Sequence, residues 1–269
     1  MTIDFHTHVF PDKIANKTID YLAGKADIPP FSDGTVEGLV RRMEESNTQI
    51  AVNLPVLTKP SQFDGTNRFA LQLNQAFSGK ERRIISFAGI HPACENIEEK
   101  MFWIAENGFK GVKIHPDYQE TFITDDGYIK ILRCAMEYDL TVVTHSGVDA
   151  AYRGEDIHCT PELVCRVLDK VPHEKFVLAH YGANEMLEEV LDLLCKQNIY
   201  FDTAYVLRFI EKEQFIKIME KHGADKILFA SDSPWSSIKN DIEIIKSFSL
   251  GNKNEEKILS ENARKLLGI

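Results

Sequence analysis

Short runs of β-branched and aromatic residues alternate along this chain with longer segments in which apolar residues recur at every third or fourth position. Runs of the first kind predict β-strands, and segments of the second kind predict amphipathic helices. The predicted strands are Ile3–His8, Ile50–Pro55, Ile84–His91, Gly111–Pro116, Thr141–Ser146, Phe176–Gly182, Ile199–Thr203 and Ile227–Pro234. The clearest predicted helices are Ile97–Asn107, Gly127–Tyr138, Pro161–Lys170, Glu185–Gln197 and Ile210–His222. Eight strands interleaved with helices predict an α/β fold in which a parallel sheet closes into a (β/α)8 TIM barrel.

An open, doubly wound sheet is the alternative that the same alternation allows. The first predicted strand is not followed by a glycine-rich phosphate-binding loop, and this favours the barrel. The 269 residues of the chain match one barrel of about 250 residues, so we expect a single domain over residues 1–269. The irregular stretches Ala23–Gly34 and Thr58–Asn67 are candidate lids at the catalytic face, and a polar helix from Asn254 is expected to close the chain.

Composition and charge narrow the class of protein. The net charge of −10 argues against a surface that binds nucleic acid or an anionic membrane. No apolar stretch approaches the roughly 20 residues of a membrane helix, and no signal segment opens the chain. The five scattered cysteines lack a CxxC motif and indicate reduced thiols. We therefore expect a cytoplasmic protein that acts on a small molecule, with homo-oligomerisation left open.

Polar residues that can bind a metal end most of the predicted strands. They are His6 and His8, His91, His115, His145, His180 and Asp232. In a barrel the carboxyl ends of all strands converge on one rim. One histidine at a strand end can be purely structural, but His or Asp at six of the eight strand ends predicts a shared site at that rim.

The pattern of these residues suits a metal centre. His6 and His8 lie two positions apart on one strand, so both side chains face the barrel interior. His145 and His180 each end an apolar run, where burying an imidazole costs free energy unless the ring is bonded. Neutral imidazoles with one carboxylate suit Zn²⁺, Mn²⁺ or Fe²⁺. Asp232 could both ligate the ion and take a proton from its bound water.

With these residues assembled, the chain resembles the metal-dependent amidohydrolase superfamily, and within it the amidohydrolase-related branch of aminocarboxymuconate-semialdehyde decarboxylase-like enzymes. The resemblance runs from residues 4–8 (DFHTH) through 231–235 (SDSPW) to 261–267 (ENARKLL). It implies that His6, His8, His145 and Asp232 are metal ligands. It also implies that His180 is a further ligand or an acid/base group beside the metal-bound water. Zn²⁺ is the expected ion, with Mn²⁺ or Fe²⁺ as alternatives.

The fourth predicted strand leaves the number of metal ions open. Lys113 and His115 are expected to point inward from this strand. Binuclear members of the superfamily, such as dihydroorotase-like enzymes, carry a carboxylated lysine here, and Lys113 is similar in placement. Decarboxylase-like members are typically mononuclear, so one ion is expected and two are the alternative. Without carboxylation, Lys113 would be a buried cation that pairs with a protein carboxylate or holds a substrate carboxylate.

The expected reaction is hydrolysis of an amide, ester or lactone-type carbon in a small anionic substrate. A metal ion lowers the pKa of bound water to about 7, and Asp232 would accept the proton as hydroxide attacks. The metal or His180 would stabilise the developing oxyanion. Residues that could hold the substrate are Lys113, His115, His91 and Arg153, although Arg153 could equally be a solvated surface residue. A non-oxidative decarboxylase or hydratase is the alternative, because it would use the same ligands on the same scaffold.

Overall fold

The computed structural model describes all 269 residues and contains nine parallel strand segments. They are β1 Ile3–Thr7, β2 Ile50–Asn53, β3 Arg83–Ser86, β4 Ala88–Gly89, β5 Gly111–Ile114, β6 Thr141–Thr144, β7 Phe176–Leu178, β8 Tyr200–Asp202 and β9 Ile227–Leu228. Strands β1 to β3 are hydrogen-bonded in that order, and so are strands β4 to β9. All neighbours are parallel, as expected for strands connected by helical crossovers.

The two groups of strands belong to one barrel. The predicted third strand is divided at Phe87, so that β3 pairs with β2 while β4 pairs with β5. The Phe87 amide still donates to the Asn53 carbonyl (2.9 Å), which keeps this strand attached to β2. At the other junction, the amide of Phe5 donates to the carbonyl of Phe229 (2.9 Å) and that of Asp232 to the carbonyl of His6 (2.9 Å). The eighth strand thereby closes on the first, and the predicted (β/α)8 barrel is confirmed.

Eleven helices surround the barrel and occupy its ends. They are α1 Asp12–Ala26, α2 Val36–Glu45, α3 Phe63–Ala76, α4 Ile97–Glu106, α5 Asp126–Glu137, α6 Pro161–Lys170, α7 Leu187–Glu189, α8 Lys212–His222, α9 Ile238–Ser247, α10 Asn252–Glu256 and α11 Asn262–Leu267. None of them combines the length and apolar composition that crossing a bilayer requires. Helix α6 begins as its sequence indicates, with Pro161 in the first turn and the Thr160 hydroxyl accepting from the Leu163 amide.

Predictions for four segments of the chain need correction. Both candidate lids contain helix, because α1 extends to Ala26 and α3 begins at Phe63. The predicted helix Glu185–Gln197 consists of the short α7 followed by a π-helical segment, Val190–Leu194. The C-terminal segment is amphipathic rather than polar, because several of its apolar side chains are buried against the barrel. Those side chains are Ile258, Leu259, Ala263, Leu266 and Leu267.

Alternation along the strands separates two layers of the core and positions the site. Val142 and Leu178 belong to the large cluster between strands and helices, whereas Val143 and Val177 belong to a separate cluster inside the barrel. Lys113 is in register with Val143 on the neighbouring strand, so its side chain also enters the interior. Because the strands are parallel, the polar residues after their last positions meet at the carboxyl rim.

Candidate active site at the carboxyl rim of the barrel

His6, His8 and Asp232 form a compact set of potential ligands. The Oδ1 atom of Asp232 lies 3.1 Å from His8 Nε2 and 3.4 Å from His6 Nε2. All three donor atoms lie within 4.8 Å of one another. A tetrahedral ion with bonds of about 2.0–2.1 Å separates its ligand atoms by about 3.3–3.4 Å, so this spacing fits one ion.

Hydrogen bonds fix the orientation of both imidazoles. His6 Nδ1 lies 2.8 Å from Asp202 Oδ2, and His8 Nδ1 lies 2.8 Å from the Leu54 carbonyl oxygen. Because these oxygens accept, both Nδ1 atoms carry a proton and both Nε2 atoms face Asp232. Burial, assisted by the charge of Lys113, holds the pKa of His6 well below its usual value, so the ring is neutral as a metal ligand must be.

The carboxylate of Asp232 is ionised despite its burial. Burial by itself raises the pKa of this group, but positive charge on the adjacent His6 and His8 rings and a hydrogen bond from His8 lower it below its usual value, and a cation bound between neutral rings would act in the same direction. With both rings neutral, the triad offers two nitrogen donors and one anionic oxygen. This is a donor set that divalent transition metals bind.

His145 and His180 form a second group of donors beside the triad. His180 Nε2 lies 2.9 Å from His145 Nδ1, and the ring centroids of His6 and His180 are 5.8 Å apart. The Nδ1 atom of His180 lies 3.0 Å from the Ala204 carbonyl oxygen and therefore carries the proton. Both predicted histidines thus reach the same end of the barrel as His6.

Lys113 enters the site without an anionic partner. The side chain is 1% exposed, and its Nζ atom lies 3.2 Å from His6 Nε2. No carboxylate lies within 4.0 Å of the amine, because the neighbouring inward positions carry apolar side chains such as Val143. Of the two roles for an uncarboxylated Lys113, a direct ion pair with a protein carboxylate is therefore not formed, and holding a substrate carboxylate stays a prediction. Burial lowers the pKa of the amine to about 8, although the more distant Asp202 and Asp232 oppose this effect.

Comparison with known proteins identifies the family. The family model for amidohydrolases matches residues 3–269. The chain belongs to the amidohydrolase family. This match confirms the resemblance inferred from the strand-end residues, and it makes the protein a metal-dependent enzyme. No curated protein sequence matches the chain.

Solved structures show the same fold at low sequence identity. A Staphylococcus aureus protein assigned to the amidohydrolases is 21% identical with a TM-score of 0.71, and the alignment covers 100% of this chain and 99% of that one. An Acinetobacter baumannii protein assigned as a 2-pyrone-4,6-dicarboxylic acid hydrolase is 19% identical, with a TM-score of 0.69 and coverage of 100% and 99%. The manganese-bound 5-carboxyvanillate decarboxylase of Novosphingobium aromaticivorans is 14% identical, with a TM-score of 0.73 and coverage of 100% and 96%. These likenesses establish the barrel.

The structure brings some of the predicted substrate-binding residues of this amidohydrolase into the site and leaves Arg153 at the surface. The His115 ring stacks on that of His145, with centroids 4.2 Å apart, and therefore lines the site. His91 is buried at the end of β4, where its Nδ1 accepts from the Ala93 amide. Arg153 is 58% exposed and pairs with Glu185, so the structure does not bring it to the triad.

Several acidic residues of the site were not identified from the sequence. Asp202 ends β8 and orients His6, while Asp149 Oδ2 lies 3.4 Å from His115 Nε2. Asp117 Oδ1 accepts from both the amide (3.0 Å) and Nδ1 (2.9 Å) of His158. A carboxylate at the second-last position of the seventh predicted strand was a usable signal for Asp202. Asp117 and Asp149 lie in loops, where no periodicity distinguishes them from surface acids.

Proposed function

We propose that this amidohydrolase binds a divalent metal ion through His6, His8, Asp232, His145 and His180, and hydrolyses a small anionic substrate. The observation that carries the proposal is the convergence of the triad, with the Nε2 atoms of His6 and His8 both directed at the carboxylate of Asp232. Such an arrangement is costly to bury without a cation among the donors. The Nε2 atom of His180 and the Nδ1 atom of His145 lie 2.9 Å apart, so both can bind the same ion when neither carries a proton on that side.

The ion, when bound, supplies Lewis acidity that makes water acidic and polarises a substrate oxygen. Asp232 is placed to accept a proton from the attacking water, since it is ionised and borders both His6 and His8. His180 is placed to stabilise negative charge that develops on the substrate. Lys113 and His115 line the same interior and are placed to hold an anionic group.

Decarboxylation is the second candidate, and a specific observation favours it. The buried amine of Lys113 has no protein carboxylate within 4.0 Å, so a substrate carboxylate would find an unpaired cation beside the triad. Two of the structural neighbours are decarboxylases of aromatic acids whose structures contain manganese. A site of this kind serves either reaction with the same residues, and the choice depends on which bond of the substrate lies above the triad.

Metal content and reaction class are tested on protein purified without chelators. Elemental analysis should give about one equivalent of transition metal, or two if Lys113 is carboxylated. Zn²⁺ is the predicted ion, and Mn²⁺ is the ion named for the decarboxylase neighbours. A substrate panel of lactones, amides and aromatic or muconate-type acids then separates hydrolysis from CO₂ release. Protein that holds no transition metal after supplementation with Zn²⁺ or Mn²⁺ would refute the proposal.

A further inference from the structure

Two buried polar atoms beside the proposed metal centre face each other without a hydrogen-bond partner. They are His145 Nε2 and Asp117 Oδ2, which lie 3.6 Å apart. The exposed fractions of the two residues are 4% and 2%, so water does not readily satisfy either atom. A buried polar atom without a hydrogen-bond partner destabilises the folded protein by about 1–3 kcal/mol. Two such atoms side by side therefore need a physical cause.

The protonation of His180 restricts the tautomer of His145. A metal ligand must be neutral, so with His180 Nδ1 donating to the Ala204 carbonyl its Nε2 presents a lone pair to His145 Nδ1 at 2.9 Å. If the proton of His145 is on Nδ1, the Nε2 lone pair faces Asp117 Oδ2 at 3.6 Å and Asp149 Oδ2 at 3.8 Å. If the proton is on Nε2, the lone pairs of His145 and His180 face each other. With His180 neutral, each neutral tautomer of His145 therefore leaves one repulsive contact.

A doubly protonated His145 would satisfy both sides, but its surroundings oppose it. The ring is buried, it stacks on His115, and the Lys113 amine projects into the same interior. Burying another positive charge beside an unpaired ammonium is unfavourable. A metal ion that accepts both facing lone pairs removes the conflict, because the proton of His145 can then stay on Nε2 and point at the carboxylates.

We infer that Asp117 is a positioning residue whose carboxylate selects the Nε2–H tautomer of His145 and so turns the Nδ1 lone pair toward the metal centre. His158 supports this role: its amide and its Nδ1 both donate to Asp117 Oδ1, which leaves Oδ2 directed at His145. The inference rests on the proposed metal-binding function. It adds an outer carboxylate for His145, comparable to the one that Asp202 provides for His6.

Replacing Asp117 by Asn and by Ala separates this role from packing. In Asp117→Asn the two His158 donors retain the amide oxygen, so the amide nitrogen faces His145 Nε2 and donates to it. This favours the wrong tautomer, and we expect metal affinity to fall by about 10–100-fold, at least as much as in Asp117→Ala. A packing role gives the opposite order, because Asn fills the site and Ala leaves a cavity.

Metal affinity is measured by competition with a chromophoric chelator, using Zn²⁺, while thermal unfolding of the metal-free variants monitors the fold. Asp241→Asn is the matched control, since Asp241 is also buried with a free Oδ2 but bonds to Ser236, so its affinity should equal that of the wild type. ¹⁵N NMR of the histidines in the Zn²⁺-loaded wild type should place the His145 proton on Nε2.

The outcomes distinguish two failures. A wild type that binds no metal would overturn the proposed function and this inference with it. A wild type that binds metal while Asp117→Asn binds within twofold, or one whose His145 proton lies on Nδ1, would overturn the inference alone.

Discussion

Replacing Lys113 by Met should stabilise the metal-free protein. The amine is buried, contacts only the neutral His6 ring among polar groups, and has no carboxylate within 4.0 Å. Met has similar length and is also unbranched, so it can occupy the same space among the inward apolar residues. Substituting buried charges by apolar residues of similar volume is often stabilising by about 1–4 kcal/mol.

The magnitude follows from the proton affinity of the amine. Its pKa falls from 10.5 in an exposed lysine to about 8 here. At about 1.4 kcal/mol for each tenfold change in affinity, holding the ammonium in this site costs about 3 kcal/mol. That cost is complete below pH 8. Between pH 8 and 10.5 the unfolded chain binds a proton that the folded chain has released, so the free energy of unfolding rises with pH and the cost disappears.

Urea unfolding of wild type and Lys113→Met, both metal-free and in CO₂-free buffer, measures this difference. The variant should be more stable by about 3 kcal/mol at pH 7, and the gap should close as the pH approaches 10.5. Lys253→Met, at an exposed position of α10, is the matched control and should change little. A variant less stable than the wild type at pH 7, or a gap that does not change with pH, would refute the reasoning.

Three further predictions concern the metal centre. The double variant His6→Ala/His8→Ala should lose its metal while keeping its circular dichroism, because the ligands lie at the rim and not in the packed core; full metal occupancy would contradict the ligand assignment. Asp232→Asn should lower kcat/KM for each loaded site by about 10²–10⁴-fold and shift or remove the acidic limb of its pH profile. Activity within a few-fold of wild type, with the same profile, would exclude Asp232 as the base. Lys113→Ala should lose at least one metal equivalent if the lysine is carboxylated, whereas it should keep its metal and mainly raise KM if Lys113 holds substrate. Unchanged metal content and kinetics would defeat both roles.

Periodicity predicted the barrel because each strand is a short buried run with its own boundary signal. Periodicity predicted the helices less accurately, and α1 shows the reason. That helix buries only Ala15 and Ile19, while Ile14 and Tyr21 on other faces are exposed, so its apolar stripe is blurred. The division of the third strand at Phe87 leaves no signal either, since the whole segment is apolar and equally compatible with one continuous strand.

The rim histidines were predictable because residues that can bind a metal stand at the ends of strands, and the barrel brings those ends together. The acids that orient them were missed, since their role depends on a partner that is distant in the chain, although the strand-end position of Asp202 was a usable signal. Asp117 acts on His145 through a contact that the loop after β5 creates, and Asp202 acts on His6 across a separation of 196 positions in the chain. Arg153 shows the converse, because a loop position consistent with substrate binding instead forms a surface pair with Glu185.

Backbone conformation adds a constraint that the pattern of residues does not reveal. His180 and Asp232 lie at φ values of 61° and 68°, in the left-handed region, where Asp and His are better tolerated than most residues. Such positions cost about 1–3 kcal/mol and persist where surrounding bonds hold them. Asp202 provides one of those bonds: its Oδ1 accepts from the His180 amide (3.0 Å), while its Oδ2 accepts from the His6 ring (2.8 Å). The carboxylate that holds the turn at His180 is therefore the one that directs His6 toward Asp232, so the strand-end geometry and the ligand geometry depend on the same residue.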